Sequence, residues 1–261
     1  MKKISVLGCG WLGLPLAQKL IQNGFSVKGS TTSDAKLDLM RAAGIEPYHI
    51  ALSPDKIDGN IGDFLQSEIL IIDIPPKTSE GNFSDKIRSL LPFVKHSAVK
   101  KTLFVSSISV YGEMSGSIDE NTVPKPDSEN GRQLCEAENL LRQDEDFSTT
   151  ILRFGGLIGH DRHPIKYLSG KENSNADARV NLIHLDDCIG VICQIISLGK
   201  WGETYNAVAP FHPTRREYYT RKAVEMNLPL PIFTAGGHTA KIIRADKIIS
   251  DLNYLFAQPF F

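Results

Sequence analysis

The chain predicts an α/β fold, a doubly wound parallel sheet with helices on both faces and a small C-terminal lobe over the carboxyl edge of the sheet. Three observations carry this. Short apolar, β-branched runs alternate with helix-like stretches as far as Phe154. Those runs are apolar at nearly every position, as strands covered on both faces require. A glycine-rich turn, "GCGWLG" (8–13), joins the first run to the first helix-like stretch.

The elements follow in order. "ISVLG" (4–8) reads as the first strand and 12–22 as the first helix. "FSVKGS" (25–30) is the second strand, with a helix over 34–43. "YHIAL" (48–52) and "EILIIDI" (68–74) are the third and fourth strands, and 83–97 is helical. "TLFVSS" (102–107), a helix over 131–142 and "TTILRF" (149–154) complete the regular alternation. Beyond Phe154 the chain turns glycine-rich and polar. "NLIHL" reads as a short strand, and "DDCIGVICQIISLG" as a helix with Asp186 as N-cap and Gly199 as its stop. "GETYNAVA" is a further strand, and 214–226 and 245–252 are helices. The expected organisation is a dinucleotide-binding domain over 1–155 and a smaller lobe over 156–261. Part of 180–209 is expected to return and pack on the first domain.

Composition narrows the function classes. The 261 residues are 41% hydrophobic, enough for a substantial core, and the net charge of −1 gives no electrostatic ground for binding nucleic acid or an anionic membrane. No apolar run has the length of a transmembrane helix. Cys9, Cys135, Cys188 and Cys193 form no CxxC pair and read as reduced thiols of a cytoplasmic protein. "MKKISVLGC" mimics a lipoprotein signal, but its apolar stretch is too short for one and suits a first strand.

The glycine turn carries the cofactor expectation. Gly8 permits the tight turn, Gly10 lets a pyrophosphate approach the backbone, and Gly13 lets helix and strand pack closely. The phosphates would meet unpaired N–H groups at the helix start, around Trp11 and Leu12. NAD sites commonly place a carboxylate about 20 residues beyond the glycines, for the ribose 2′-hydroxyl. Here that place reads Gly29-Ser30-Thr31-Thr32-Ser33. Hydroxyls at Ser30, Thr31 and Thr32 suit a 2′-phosphate that a carboxylate would repel, so NADP is expected over NAD. Lys36 or Lys28 would stand in for the usual arginine. Ile74, Pro75 and Pro76 at the end of the fourth strand form an apolar wall for the adenosine half.

"LFVSSISVYGE" (103–113), together with the glycine turn, resembles the short-chain dehydrogenase/reductase superfamily, in its extended branch of epimerases and dehydratases. "NGRQLCEAENLL", "LRFGGLIGHDRHP", "VNLIHLDDCIGVI" and "ETYNAVA" extend the resemblance over nearly the whole chain. "GCGWLG", "VYGE", "CEAE" and "GHDRHP" together look most like the small YeeZ-like group of atypical members. The resemblance implies a Rossmann-type fold, an NAD(P) cofactor held also by Ser106, and roles for Ser107 and Tyr111 beside substrate. It also implies a Tyr-x-x-x-Lys pair on the helix after the fifth strand, where the lysine lowers the tyrosine pKa for proton transfer. This chain has Asn130 and Leu134 at those places. Asparagine does not shuttle a proton near neutral pH, and leucine has neither charge nor donor. Tyr167–Lys171 and Tyr218–Lys222 repeat the spacing outside the expected site and read as coincidences.

The catalytic candidates are therefore Ser107 and Tyr111, and Asn130, His160 and Arg162 are substrate candidates. Arg162 would hold an anionic group, and a histidine would relay protons near neutral pH. Glu113, on the loop after Tyr111, is in reach of a substrate but reads first as a solvated loop residue. No metal is expected, because His160 and His163 lack a third ligand at convincing spacing. Two functions stay open: an atypical oxidoreductase or epimerase-like enzyme using NADP(H), and a non-catalytic dinucleotide-binding sensor. The expected partner is a small-molecule substrate or ligand, and a homodimer through the helices flanking the sheet is compatible with the pattern.

Overall fold

A computed structural model describes residues 2–76, 82–234 and 241–257. Seven parallel strands form the central sheet: β1 Lys3–Leu7, β2 Ser26–Thr31, β3 Glu46–His49, β4 Ile69–Ile72, β5 Lys101–Ser107, β6 Ser148–Phe154 and β7 Thr204–Ala207. Their spatial order is β7-β6-β5-β4-β1-β2-β3. The chain winds outward from β1 to β3, crosses over, and winds outward again from β4 to β7. The direction reverses between β1 and β4, where Ile4 lies opposite Ile69 and Leu7 opposite Ile72. In open α/β sheets such a switch point leaves a crevice at the carboxyl ends of the strands.

Period-two alternation explains why both faces of the strands are apolar. Ile4, Val6, Ile71, Leu103 and Leu152 face one layer of helices, and Leu70, Ile72, Phe104 and Ile151 face the other. The first layer contains α1 Gly13–Gln22, α5 Leu185–Leu198 and α7 Asp246–Leu252. The second contains α3 Phe83–Lys95 and α4 Glu129–Arg142. Short α2 Leu37–Ala42 leads into β3, and α6 Arg215–Glu225 belongs to the lobe. Leu16, Ala17 and Leu20 form the buried stripe of α1, the spacing of one helix face. Pro15 sits in the first turn, where no N–H is needed.

The lobe has its own core, with Ile158, Ile165, Val180, Tyr218 and Phe233 around α6. It is tied down by a parallel pair, Gly156–Ile158 with Leu182–His184, and Thr204–Ala207 rejoins the main sheet beside β6.

Two sequence readings of local structure change. The expected third strand divides: Glu46–His49 pairs with β2, while Ala51–Leu52 turns back to pair antiparallel with Ile57–Asp58. The Ile50 N–H makes the last bond to Thr31, 3.1 Å away, and the chain then leaves the sheet. The cap of α5 is His184 rather than Asp186. His184 has the extended backbone of a cap, and its Nδ1 accepts the Asp186 N–H at 3.3 Å. Asp186 lies inside the first turn, where its charge suits the positive helix end. Gly199 ends α5 in the left-handed conformation, φ 65°. No helix among the described residues is long and apolar enough to cross a membrane.

Candidate functional site

A cavity of about 280 Å³ opens at the switch point, over the ends of β1, β2 and β4. The glycine turn forms its floor. Gly8 has φ +106°, and a Cβ there would stand 2.3 Å from the carbonyl oxygen of Asp73. A Cβ on Gly13 would stand 2.1 Å from the carbonyl oxygen of Gly8. Both glycines are demanded by backbone packing. Gly10 differs, because a Cβ there would meet nothing within 4 Å. That open space over the backbone is what an approaching phosphate needs. Leu12, at the cap of α1, makes no side-chain hydrogen bond, and the Asp73 carboxylate takes the Gly13 N–H, so the turn ahead of Gly13 is the part of the helix start left for an anion.

The cavity brings together Gly8, Gly10, Ser30, Thr31, Thr32, Ile74 and Pro75 of the expected cofactor residues. The Ser30 hydroxyl accepts the Gly8 N–H at 3.0 Å, and Thr31 Oγ1 accepts the Ser33 N–H at 3.1 Å. Each hydroxyl still has its own proton to donate. Lys36 reaches the cavity. Lys28 does not, because its buried ammonium donates to the Asp63 carbonyl at 2.6 Å and lies over the Tyr48 ring. Period two turns it to the opposite face from Ile45 and Met40, which flank Gly29.

The side chains of other expected residues turn away from the cavity, which leaves the backbone of Trp11 and Leu12 at the helix start. Leu12 is core. Pro76 is half-buried beside the cavity but outside its lining. The Trp11 indole donates to Asp161 at 2.9 Å, and the Arg162 guanidinium lies over its ring at 5.1 Å. Trp11, Asp161 and Arg162 thus clasp the 159–162 loop to the glycine turn. His160 is exposed and meets the His184 ring edge-on at 5.4 Å. His160, His184 and Asp186 offer ligand atoms within 4.8 Å of one another. The Nδ1 of His184 is already engaged as the cap of α5. His163 is buried, at 3.0 Å from the Tyr218 hydroxyl, and burial pushes its pKa down to about 4. It therefore belongs to the lobe core, away from any proton relay.

The carboxyl end of β5 is filled by a buried polar network. Ser106 donates to Glu138 at 2.6 Å, and Glu138 forms a two-point pair with Arg153, at 3.0 and 2.6 Å. Arg153 also donates to the Tyr111 hydroxyl at 2.7 Å, which lies 2.9 Å from Asn206 Oδ1. Burial opposes the Arg153 charge, but the Glu138 carboxylate outweighs it and holds the guanidinium pKa up. Burial raises the Tyr111 pKa despite Arg153 beside it. Tyr111 is fully buried, so its hydroxyl offers no face to a substrate. Ser106 is turned away from the cofactor cavity by the same network. Ser107 is half-buried, and its Oγ caps the following turn by accepting the Ser109 N–H at 3.1 Å. Asn130 is exposed in the first turn of α4, and Leu134 is buried in the core.

A second cleft of about 260 Å³ separates the turn after β5 from the lobe. Glu113, Arg179 and Arg215 line it. The buried Nε of Arg215 has no hydrogen-bond partner among the described residues. The sequence reading missed both arginines, because the segments carrying them lie far from the glycine turn in the chain and only folding brings them to one cleft. It also missed Asp73 and Lys86 in the first cavity, where no spacing marks either residue.

No protein-family model matches the chain. Protein YeeZ of Escherichia coli K12 is 32% identical over 266 residues, covering 99% of this chain and 97% of that protein. The fold is similar to that of UDP-N-acetylglucosamine 4-epimerase from Bacillus cereus, at 17% identity and TM-score 0.80, covering 100% of this chain and 96% of that one. It is also similar to UDP-glucuronic acid 4-epimerase from Bacillus cereus in complex with UDP-glucuronic acid and NAD. That likeness has 20% identity and TM-score 0.78, with 99% of this chain and 95% of the other covered.

Proposed function

The chain belongs to the YeeZ family, and from that premise we propose that it is an NADP(H)-binding, epimerase/dehydratase-like member of the short-chain dehydrogenase/reductase superfamily. The observation that carries this reading is the open backbone at Gly10 ahead of α1, whose Leu12 cap makes no side-chain bond, inside a cavity at the switch point. A bound dinucleotide would supply the hydride chemistry. The protein's part would be to hold the diphosphate on the helix start and the adenosine against Ile74 and Pro75. Preference for the 2′-phosphate is supported by the hydroxyls of Ser30, Thr31 and Thr32 with Lys36 beside them, and by the lack of a carboxylate at the end of β2. The substrate is a small molecule bound in the second cleft, and Arg179 and Arg215 suit an anionic one. UDP-glucuronic acid, held by the Bacillus cereus relative, is of that class.

Proton transfer by the superfamily's usual pair is absent from this reading, because Asn130 and Leu134 occupy its places. General acid–base help is worth roughly 10²- to 10⁴-fold in rate, so turnover is expected to be slow. Ser107 is the remaining candidate to touch substrate. A second reading, a dinucleotide-binding sensor without turnover, is favoured by one observation: Leu134 is built into the core. The test has two stages. Melting temperature is measured with NAD(H) and NADP(H) side by side, and a rise larger for NADP(H) is expected. No rise with either would sink the dinucleotide reading, and a larger rise with NAD(H) would sink the 2′-phosphate preference. NADPH oxidation is then followed over a panel of carbonyl compounds and nucleotide sugars. Turnover lost in Ser107→Ala supports the enzyme, whereas no turnover with redox-dependent capture of a partner supports the sensor.

A further inference from the structure

The cavity contains one acid that the proposed function does not use. Asp73 follows β4, lines the cavity, and its carboxylate accepts the Gly13 N–H at the start of α1. A Cβ on Gly13 would stand 3.1 Å from Asp73 Oδ2, and a Cβ on Gly8 would run into the Asp73 carbonyl. The two glycines thus seat this acid as well as the turn. A dinucleotide's diphosphate would bring its negative charge to the same helix start, and two anions on one terminus repel. Building on the dinucleotide reading above, we propose that Asp73 makes dinucleotide binding proton-linked: the cavity accepts the diphosphate when Asp73 carries a proton and resists it when Asp73 is a carboxylate.

The surroundings fit this role. Burial lifts the Asp73 pKa to about 8, with the Gly13 N–H pulling the other way. From the glycine turn, the Cys9 thiol is pushed up to about 12, first by burial and then by Asp73. From α5, the Cys188 thiol is raised well above its ordinary value by burial, then by Asp187 and Asp73. Both thiols stay neutral over the range in which Asp73 titrates. Asp187 is turned to the C-terminal segment, where its Oδ1 accepts from the Tyr254 hydroxyl and the Ala257 N–H. Among the described residues, the charged groups that line the cavity with Asp73 are Lys36, from the turn after β2, and Lys86, from α3. Lys36 attracts the diphosphate, and among the described lining residues Asp73 is the acid that opposes it.

Calorimetric titration of the intact protein with NADP⁺, and in parallel with NAD⁺, tests this at pH about 7.5, 8.5 and 9.5. Each pH is repeated in buffers of different ionisation heat, which reads proton uptake directly. Above pH about 7.5 neither dinucleotide changes its own phosphate charge. Affinity is expected to fall by up to about tenfold per pH unit above the Asp73 pKa, with a proton taken up on binding. Asp73→Asn keeps an acceptor for the Gly13 N–H and is expected to bind with pH-independent affinity and no such uptake. Binding by the wild-type protein with flat affinity and no proton uptake would overturn the proposal while leaving the dinucleotide reading intact. Failure of both dinucleotides to bind at every pH would overturn that reading and the proposal with it. Should Asp73→Asn fail to fold, proton uptake by the wild-type protein decides alone.

Discussion

Asp73 and Glu138 are two acids near the carboxyl edge of one sheet, one half-buried and one buried, and they are treated in opposite ways. Glu138 is paired with Arg153 at two points and accepts from Ser106. Asp73 has a single backbone N–H and stands in an open cavity, with a pKa raised to about 8. Glu138 is buried, and Tyr111 and Leu134 lie in the core on that side of the sheet. Around Asp73 there is room for a ligand. The cavity at the glycine turn is therefore open, while the polar groups at the end of β5 are sealed into the core. An acid whose pKa is raised without a cation beside it marks a place where stability has been given up, and such places are candidates for function.

The comparison breaks first at Arg153. Arg153→Met should leave Glu138 buried and unpaired and cost about 3–5 kcal/mol in urea unfolding. A loss below roughly 1 kcal/mol would mean that the network is not structural.

Asp73→Asn should do the reverse. Because its folded pKa is raised from 3.8 to about 8, Asp73 binds its proton more tightly folded than unfolded. Wild-type stability from this group is therefore full below pH 3.8 and is lost as pH rises to about 8. Relative to wild type, the variant should gain on the order of 4–6 kcal/mol between pH 4 and pH 9, most of it by pH about 8. An equal gap at both pH values would show that the effect is not titration.

The smallest stability effect sharpens the boundary between packing and binding. Gly8→Ala should cost about 1–3 kcal/mol, given its φ of +106° and the Asp73 carbonyl in its way. Gly10→Ala meets nothing and should change stability by under about 0.5 kcal/mol, yet weaken NADP⁺ binding at least tenfold. Unchanged affinity in Gly10→Ala would place the diphosphate elsewhere.

Much of this was legible in the sequence. Apolar runs at period two and the stripe of α1 marked the strands and the first helix, because those signals are local. The glycine turn marked the floor of the cavity for the same reason. The lobe side of the site was not legible. Trp11 looked like part of the cofactor cradle, but a loop 150 residues away supplies its partner, Asp161. Tyr111 looked catalytic, but Arg153 and Asn206 enclose its hydroxyl from two other strands. Lys28 looked able to serve a 2′-phosphate, but strand alternation turned it towards Asp63.

By itself, then, the amino-acid sequence determined the order of the main strands and helices, the glycine floor at the first of them, and the presence of Asn130 and Leu134 where the resemblance implies Tyr and Lys. These follow from spacing along the backbone, which neighbouring residues settle among themselves. Only the tertiary structure decided which polar groups face a cavity and which are sealed into the core. Desolvation depends on what packs above each group, and that comes from parts of the chain far away in sequence. This is why two acids, Asp73 and Glu138, with nothing in their local sequence to separate them, end as a titratable group at a ligand cavity and as half of a buried ion pair.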